Sequence, residues 1–286
     1  MAKKHAVRFW IFISFFVCQH RLFGQVYTDN TREKEKHFFY EVKTIDEFFE
    51  RFNDDPGSFI RTVYKARNMK FRITRRRLIR TLFNYENTSL DTFMMKRFVS
   101  DVTNKNKPMY LDFYGNDWYA EINCKFRYHS SSIIIPVVLK VEVAENKGSK
   151  WMIVAVGRSR LQSGNAQSEM TESKIKTKCL SPTSHATNFV SLRRAFDDKE
   201  NLSNYFEGAY FKKSNMSAFY NAIMKREIEF QYVTKIKYHF LLADTWIFTV
   251  EDFTRDALNS GWLINRMQKV SAPAMENYRN KLLDGN

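Results

Sequence analysis

Twice in this chain the side chains alternate between apolar and polar for about a dozen residues, and this period of two constrains the fold more than any other feature. Over 118–129, Trp118, Ala120, Ile122, Cys124, Phe126 and Tyr128 share one face, and Tyr119, Glu121, Asn123, Lys125, Arg127 and His129 the other. Over 228–240, Ile228, Phe230, Tyr232, Thr234, Ile236, Tyr238 and Phe240 share a face. Successive side chains of a strand point to opposite sides, so each run predicts a long antiparallel strand with one wet face. Further strands are expected at 133–145 and 150–157, around a turn at Asn146-Lys147-Gly148. Two more are expected at 245–255 and 261–268 after a turn at Ala243-Asp244, and a shorter one at 109–114. Residues 252–258 also read as a short helix, because Thr249 and Asp252 fit a capping box.

Elsewhere the apolar period lengthens to that of a helix. Thr44-Ile45-Asp46-Glu47 is a capping box, followed by Phe48, Phe49 and Phe52 at helical spacing and stopped by Asp54-Asp55-Pro56-Gly57. Helices are expected at 75–84 (Leu78, Ile79, Leu82, Phe83) and 89–102 (Leu90, Phe93, Met94, Phe98, Val102). Helical patterns return at Phe189, Leu192 and Phe196, and at Phe219, Tyr220, Ile223 and Met224. With 26 Phe and 16% aromatic residues the chain can build a core, which excludes wholesale disorder; nine Gly, five Pro and three Cys exclude collagenous and disulfide-framework classes. Between 152 and 188 there is no Phe, Tyr or Trp, which places a linker or long surface loop at 158–182 between units at 44–157 and 183–286. The expected fold class is α+β: helices packed on strongly curved antiparallel sheets, in two related halves.

Residues 1–24 read as a secretory signal. Lys3, Lys4 and Arg8 precede ten apolar residues, Phe9 to Cys18, and small Gly24 stands before the expected cut at Gln25. Ten residues are too few to span a bilayer. A lipoprotein signal fits less well, because Val17 and Phe16 precede Cys18. A polar arm, 25–43, follows. Cleavage removes four basic residues and no acid, taking the net charge from +15 to +11, so the basic character belongs to the mature chain. An oxidising compartment permits Cys124 and Cys179 to pair, although Cys124 on an apolar strand face fits a buried free thiol.

The two halves resemble each other. Lys125-Phe126-Arg127-Tyr128-His129 aligns with Lys235-Ile236-Lys237-Tyr238-His239, and Lys150-Trp151-Met152-Ile153 with Gly261-Trp262-Leu263-Ile264. Helices followed by a long strand, a hairpin and a strand opening with Trp resemble the nuclear transport factor two-like cone fold. The residues carrying the resemblance are Lys150-Trp151-Met152-Ile153-Val154, Gly261-Trp262-Leu263-Ile264-Asn265 and Phe248 to Arg255. It implies ligand binding or catalysis inside a cone, covering 44–157 well and a partial copy at 187–270 less completely. It carries over no individual site residue.

No motif announces a reaction. There is no Gly-rich phosphate loop, no nucleophile elbow and no metal-ligand spacing, so neither a cofactor nor a catalytic residue is assigned. Residues 61–80 hold nine basic residues and no acid. Arg67, Lys70, Arg72, Arg75, Arg76, Arg77 and Arg80 are candidate anion-binding residues, against the plainer reading of a solvated helix face. The expected partners are an anionic envelope lipid or glycan, or another envelope protein; export disfavours nucleic acid. Phe126, Tyr128, Trp151, Tyr232, Tyr238 and Trp262 are candidate pocket-lining residues, against plain core. Asp112, Asp117, Glu121 and His129 are acid–base candidates only if they face a cone, and the alternation sends Glu121 and His129 to the wet side. His129 and His239 read as surface residues at strand ends. The function expected is that of an exported, non-enzymatic envelope protein binding a ligand or partner. The alternatives are a cone-fold enzyme of hydrolysis or proton transfer, and a structural subunit of an envelope assembly.

Overall fold

The computed structural model describes residues 39–66, 73–143, 148–159, 161, 170–175, 177–211, 214–256 and 259–285. The signal segment, most of the polar arm and the middle of 158–182 lie outside the described residues. The first part of the chain runs β1 (Glu41–Val42), α1 (Ile45–Asn53), α2 (Phe59–Ala66), α3 (Arg75–Thr81) and α4 (Thr92–Val102). It continues with β2 (Trp118–Tyr128), β3 (Ser131–Val143) and β4 (Ser149–Val156). After a 3-10 turn at Pro182–Thr187 come α5 (Leu192–Asp197), a second 3-10 turn at Lys199–Tyr205, α6 (Gly208–Phe211) and α7 (Ser214–Met224). Strands β5 (Ile228–Leu242), β6 (Trp246–Phe253) and β7 (Ser260–Lys269) and helix α8 (Ala272–Leu283) complete it.

Local chemistry explains most boundaries. The Thr44 hydroxyl accepts from Glu47 N (3.1 Å), and the Glu47 carboxylate accepts from Lys43 N (2.9 Å), so the capping box closes one residue earlier than its usual form. Helix α3 stops at Thr81, short of the expected 84, because Leu82 and Asn84 turn their backbone to Ile264 of β7 (Ile264 N to Leu82 O 2.7 Å, Asn84 N to Ile264 O 3.0 Å). The strand expected at 109–114 does not form. The Asn53 side chain takes both backbone groups of Leu111, donating to its carbonyl (2.7 Å) and accepting from its N–H (2.8 Å). Ala243 and Asp244 have φ of 50° and 53°, the two left-handed residues of a primed hairpin turn joining β5 to β6. Strand β6 runs through Phe253, so the helical reading of that stretch fails over its first residues.

The strands form one mixed seven-stranded sheet in the order β1-β7-β6-β5-β2-β3-β4. The two long strands pair antiparallel at its centre (Ala120 opposite Tyr238, Ile122 opposite Ile236). Only β1 is parallel to its neighbour, β7. That pairing depends on Gly261: its φ is +84°, and a Cβ there would lie 2.0 Å from the Val42 carbonyl oxygen. The units expected at 44–157 and 183–286 thus contribute three meander strands each to a single sheet.

Helices exchange partners across the sheet's inner face. Phe48 and Phe52 of α1 stack on Phe240 and Phe248 of β5 and β6, Phe98 of α4 meets Trp246 and Phe248 edge-on, and Phe83 bridges to Ile264 of β7. Conversely, Phe189 packs edge-on against Trp151 of β4, Phe196 and Phe219 pack on Phe126 of β2, and Phe206 bridges to Ile153. The early helices α1 and α4 lie chiefly over the late strands and the late helices before β5 chiefly over the early ones, sharing one hydrophobic cluster, while Ile60 and Tyr64 of α2 pack separately with Phe39 and Leu78. The outer face has a smaller cluster, where Met275, Leu282 and Leu283 of α8 cover Tyr119, Val138, Val154, Leu241 and Ile247. Helix α8 is absent from the sequence reading, although Ser271 and Pro273 mark its start.

Candidate functional site

The outer face of β5, β6 and β7 carries the densest polar cluster, and strand register assembles it. Tyr119, His239, Thr249 and Arg266 lie in one cross-strand row, and Glu121, Lys237 and Glu251 in the next. His239 lies between two partners. Its Nε2 is 3.0 Å from Glu121 Oε2, and its Nδ1 is 2.6 Å from the Tyr278 hydroxyl on α8. The ionised carboxylate only accepts, so Nε2 carries a proton, and Nδ1 is hydrogen-bonded to the Tyr278 hydroxyl. Glu121 also accepts from Lys237 Nζ (3.3 Å). The His239 hydrogen bond, aided by the charges of His239 and Lys237, holds its carboxyl down to about 2, against burial. Burial pushes the Tyr278 phenol up to about 12.

In the second row, Glu251 pairs with Lys235 (2.5 Å) and accepts from Asn265 (2.9 Å), which bonds in turn to Asn87 (2.8 Å). Burial would raise the Glu251 carboxyl, but these bonds and charges together hold it below its ordinary range. Beyond α8 the sheet opens into a groove of about 500 Å3 between Tyr278 and the 89–94 segment. Its polar lining includes His239, Thr249, Arg266 and Gln268, and its apolar lining Met94, Ile247 and Met267. Thr249 is 6% exposed and its hydroxyl has no hydrogen-bond partner. Arg266 is exposed and makes no ion pair among the described residues. The groove's own carboxylate, Asp91, caps α4 through Phe93 N (2.9 Å).

The residues expected from sequence lie outside this groove. Trp151, Phe126 and Tyr238 are fully buried and pack on neighbouring rings (Trp118–Trp151 5.1 Å, Phe126–Phe230 5.6 Å, Tyr238–Trp262 5.0 Å). Phe126 also borders a hollow of about 320 Å3 with Phe196 and Arg226, and Trp262 one of about 210 Å3 with Ile236 and Asp252. Tyr128 is half-buried against the core. Tyr232 is not inside. Irregularities flanking the pairs Cys124–Val233 and Lys125–Tyr232 reverse the local alternation, so Val233 packs on the core while Tyr232 is exposed beside Lys125.

Of the basic run, Arg67, Lys70 and Arg72 lie outside the described residues. Arg75 turns inward: it donates to the carbonyls of Phe52 and Val102 (2.8 Å each) and Met109, and its guanidinium lies 4.1 Å from the Tyr110 ring centroid. Its fork is spent on the ends of two helices, so it is corrected from anion ligand to structural tie. Arg76, Arg77 and Arg80 are exposed. His239 is corrected from a surface histidine to one 4% exposed beneath α8. The signal that would have revealed it is Tyr278 on the polar flank of an unrecognised C-terminal helix. Cys124 is buried and Cys179 exposed, both as free thiols. Among the described residues no cluster of His, Cys, Asp and Glu is arranged to hold a metal ion, and no helix is long and apolar enough to cross a membrane.

The fold and this cluster define an α+β protein with a polar, partly apolar groove on the outer face of a mixed sheet. No protein-family model, no curated protein and no solved structure matches the chain.

Proposed function

We propose that this chain is an exported binding protein whose site is the outer-face groove beside α8. The observation that carries the reading is the buried, unpartnered Thr249 hydroxyl set between His239 and the ion-pair-free Arg266, in a concavity of ligand-sized volume. The close ring packing of Trp151 and Tyr238 on the inner face favours this groove over a cone interior. Binding is favoured over catalysis because both ring nitrogens of His239 are engaged and the Tyr278 phenol is held protonated. The test is a solution screen of small molecules against protein labelled at its methionine methyl groups, with M94L and M267L variants assigning the signals. Binding in the groove should shift Met94 and Met267 together, and a screen of anionic, cationic and neutral compounds that moves neither would overturn the reading.

A second reading, an acid–base enzyme, is favoured by the Glu121–His239–Tyr278 chain itself, since a carboxylate that orients an imidazole is a common route to a general base. Turnover of an ester or phosphoester panel that vanishes in H239N would establish it. Export rests on Lys3, Lys4, Arg8 and the apolar run to Cys18; N-terminal sequencing of protein from the envelope fraction should begin near Gln25, and an intact Met1 in the cytosol would remove the claim. Duplication of one ancestral half is supported by the two three-stranded meanders meeting at β2 and β5, with the same strand order in each. An anionic lipid or glycan remains the partner proposed for Arg76, Arg77 and Arg80.

A further inference from the structure

We propose that the groove takes the carboxylate of a small amphiphilic acid, held by Arg266 and the Thr249 hydroxyl, with the apolar tail against Met94, Ile247 and Met267. The inference rests on the binding reading above and specifies its ligand. Three observations converge. The first is charge. Lys237 is neutralised by Glu121 and Lys235 by Glu251, and Asp91 is committed to a helix cap. Arg266 is left without an ion-pair partner among the described residues, and a guanidinium fork matches a carboxylate in two parallel bonds.

The second is hydrogen-bond direction. The Nε2 proton of His239 goes to Glu121 and its Nδ1 is engaged by the Tyr278 hydroxyl, so both ring nitrogens of His239 are already taken. Thr249 is the hydroxyl in the row whose proton is uncommitted, and it stands directly across from Arg266 in the strand register. A buried hydroxyl without a partner is costly, and an oxygen acceptor reaching it relieves that cost. The ligand must therefore present acceptors and negative charge at this row. The third is the wall. Ile247 is buried on the outer face beside α8, and Met94 and Met267 are partly buried side chains packed against the inner-face core, so adaptable apolar surface borders the charge from both sides of the sheet. A purely polar anion would leave that wall wet.

The probes are octanoate, octylamine, octanol and inorganic phosphate, titrated into the full chain with the Met94 and Met267 methyl signals as readout. Octanoate should shift both saturably, and R266Q and T249V should each weaken it about tenfold or more, the size of one charge-assisted bond. Octylamine should not bind, and phosphate should be much weaker. R266Q changes an exposed side chain, so loss of binding in that variant with an unchanged melting temperature separates a ligand contact from a folding defect. Equal binding of octanoate, octanol and octylamine, unaffected by R266Q, would overturn the carboxylate assignment while leaving a binding groove. Tighter binding of phosphate than octanoate would overturn the apolar-tail assignment. Silence of both methyl signals toward every probe would overturn this ligand class, and silence extending to the whole compound screen would overturn the binding reading itself.

Discussion

At the scale of single residues, the wet face of β2 and β5 holds more organisation than its alternation discloses. Glu121 is the clearest case. Its folded carboxyl titrates at about 2, below the ordinary 4.5, so it stabilises the fold at pH above 4.5 and that contribution is lost as pH falls toward 2. E121Q should therefore be less stable than the natural protein at pH 7, by on the order of 3 kcal/mol, and the gap should close between pH 4.5 and 2. Urea unfolding at a series of pH values checks this, and a gap independent of pH would mean that packing, not charge, accounts for it. Glu121 was visible in the sequence as a polar-face residue, but its partner His239 lies far along the chain, and nothing local joins them. Tyr232 teaches the reverse lesson. Strict alternation puts it inside, yet bulges that depend on the neighbouring strand turn it out.

At the scale of elements, two arginines tie neighbouring segments together through backbone carbonyls. Arg51 is fully buried and donates to the carbonyls of Phe39 (2.6 Å) and Glu41 (2.5 Å) and to the Glu47 carboxylate, tying α1 to β1. R51L should cost about 3–5 kcal/mol, because Glu47 would be left charged and buried without its partner. Arg75 ties α1, α4 and the segment at Met109 together through three carbonyls. R75K keeps the charge but lacks the planar fork, and a loss of about 2 kcal/mol is expected, whereas R76S should change stability little. Thermal melts of the two variants side by side decide it. The basic run was legible as a run; which of its members faces solvent was not, because helix phase relative to the core sets that.

At the scale of the whole molecule, the exchange of helices makes the halves interdependent. Residues 39–159 alone would leave α1 and α4 without the β5 and β6 surface they cover, and would expose the inner face of β2 to β4. That fragment should not fold by itself. In the intact chain, fluorescence of Trp151 and of Trp262, isolated by changing the other tryptophans to Phe, should report one unfolding midpoint. Two separated midpoints would mean that the units at 44–157 and 183–286 are energetically independent despite their shared sheet.

The sequence by itself determined the elements: the period of two at 118–129 and 228–240, the Thr44 capping box, and the Ala243-Asp244 turn each follow from sterics and hydrogen bonding within a few residues. It also determined the α+β class, since helical and strand periods occupy separate stretches. Only the tertiary structure decided that the sheet is single and mixed, that the two long strands are central partners, and that each half's helices cover chiefly the other's strands. It alone brought Glu121, His239, Thr249, Arg266 and Tyr278 together. The physical reason is range. Periodicity records which face of an element is apolar, but what that face meets depends on register, bulges and packing between residues more than a hundred positions apart, and those are settled by the summed burial of the whole chain.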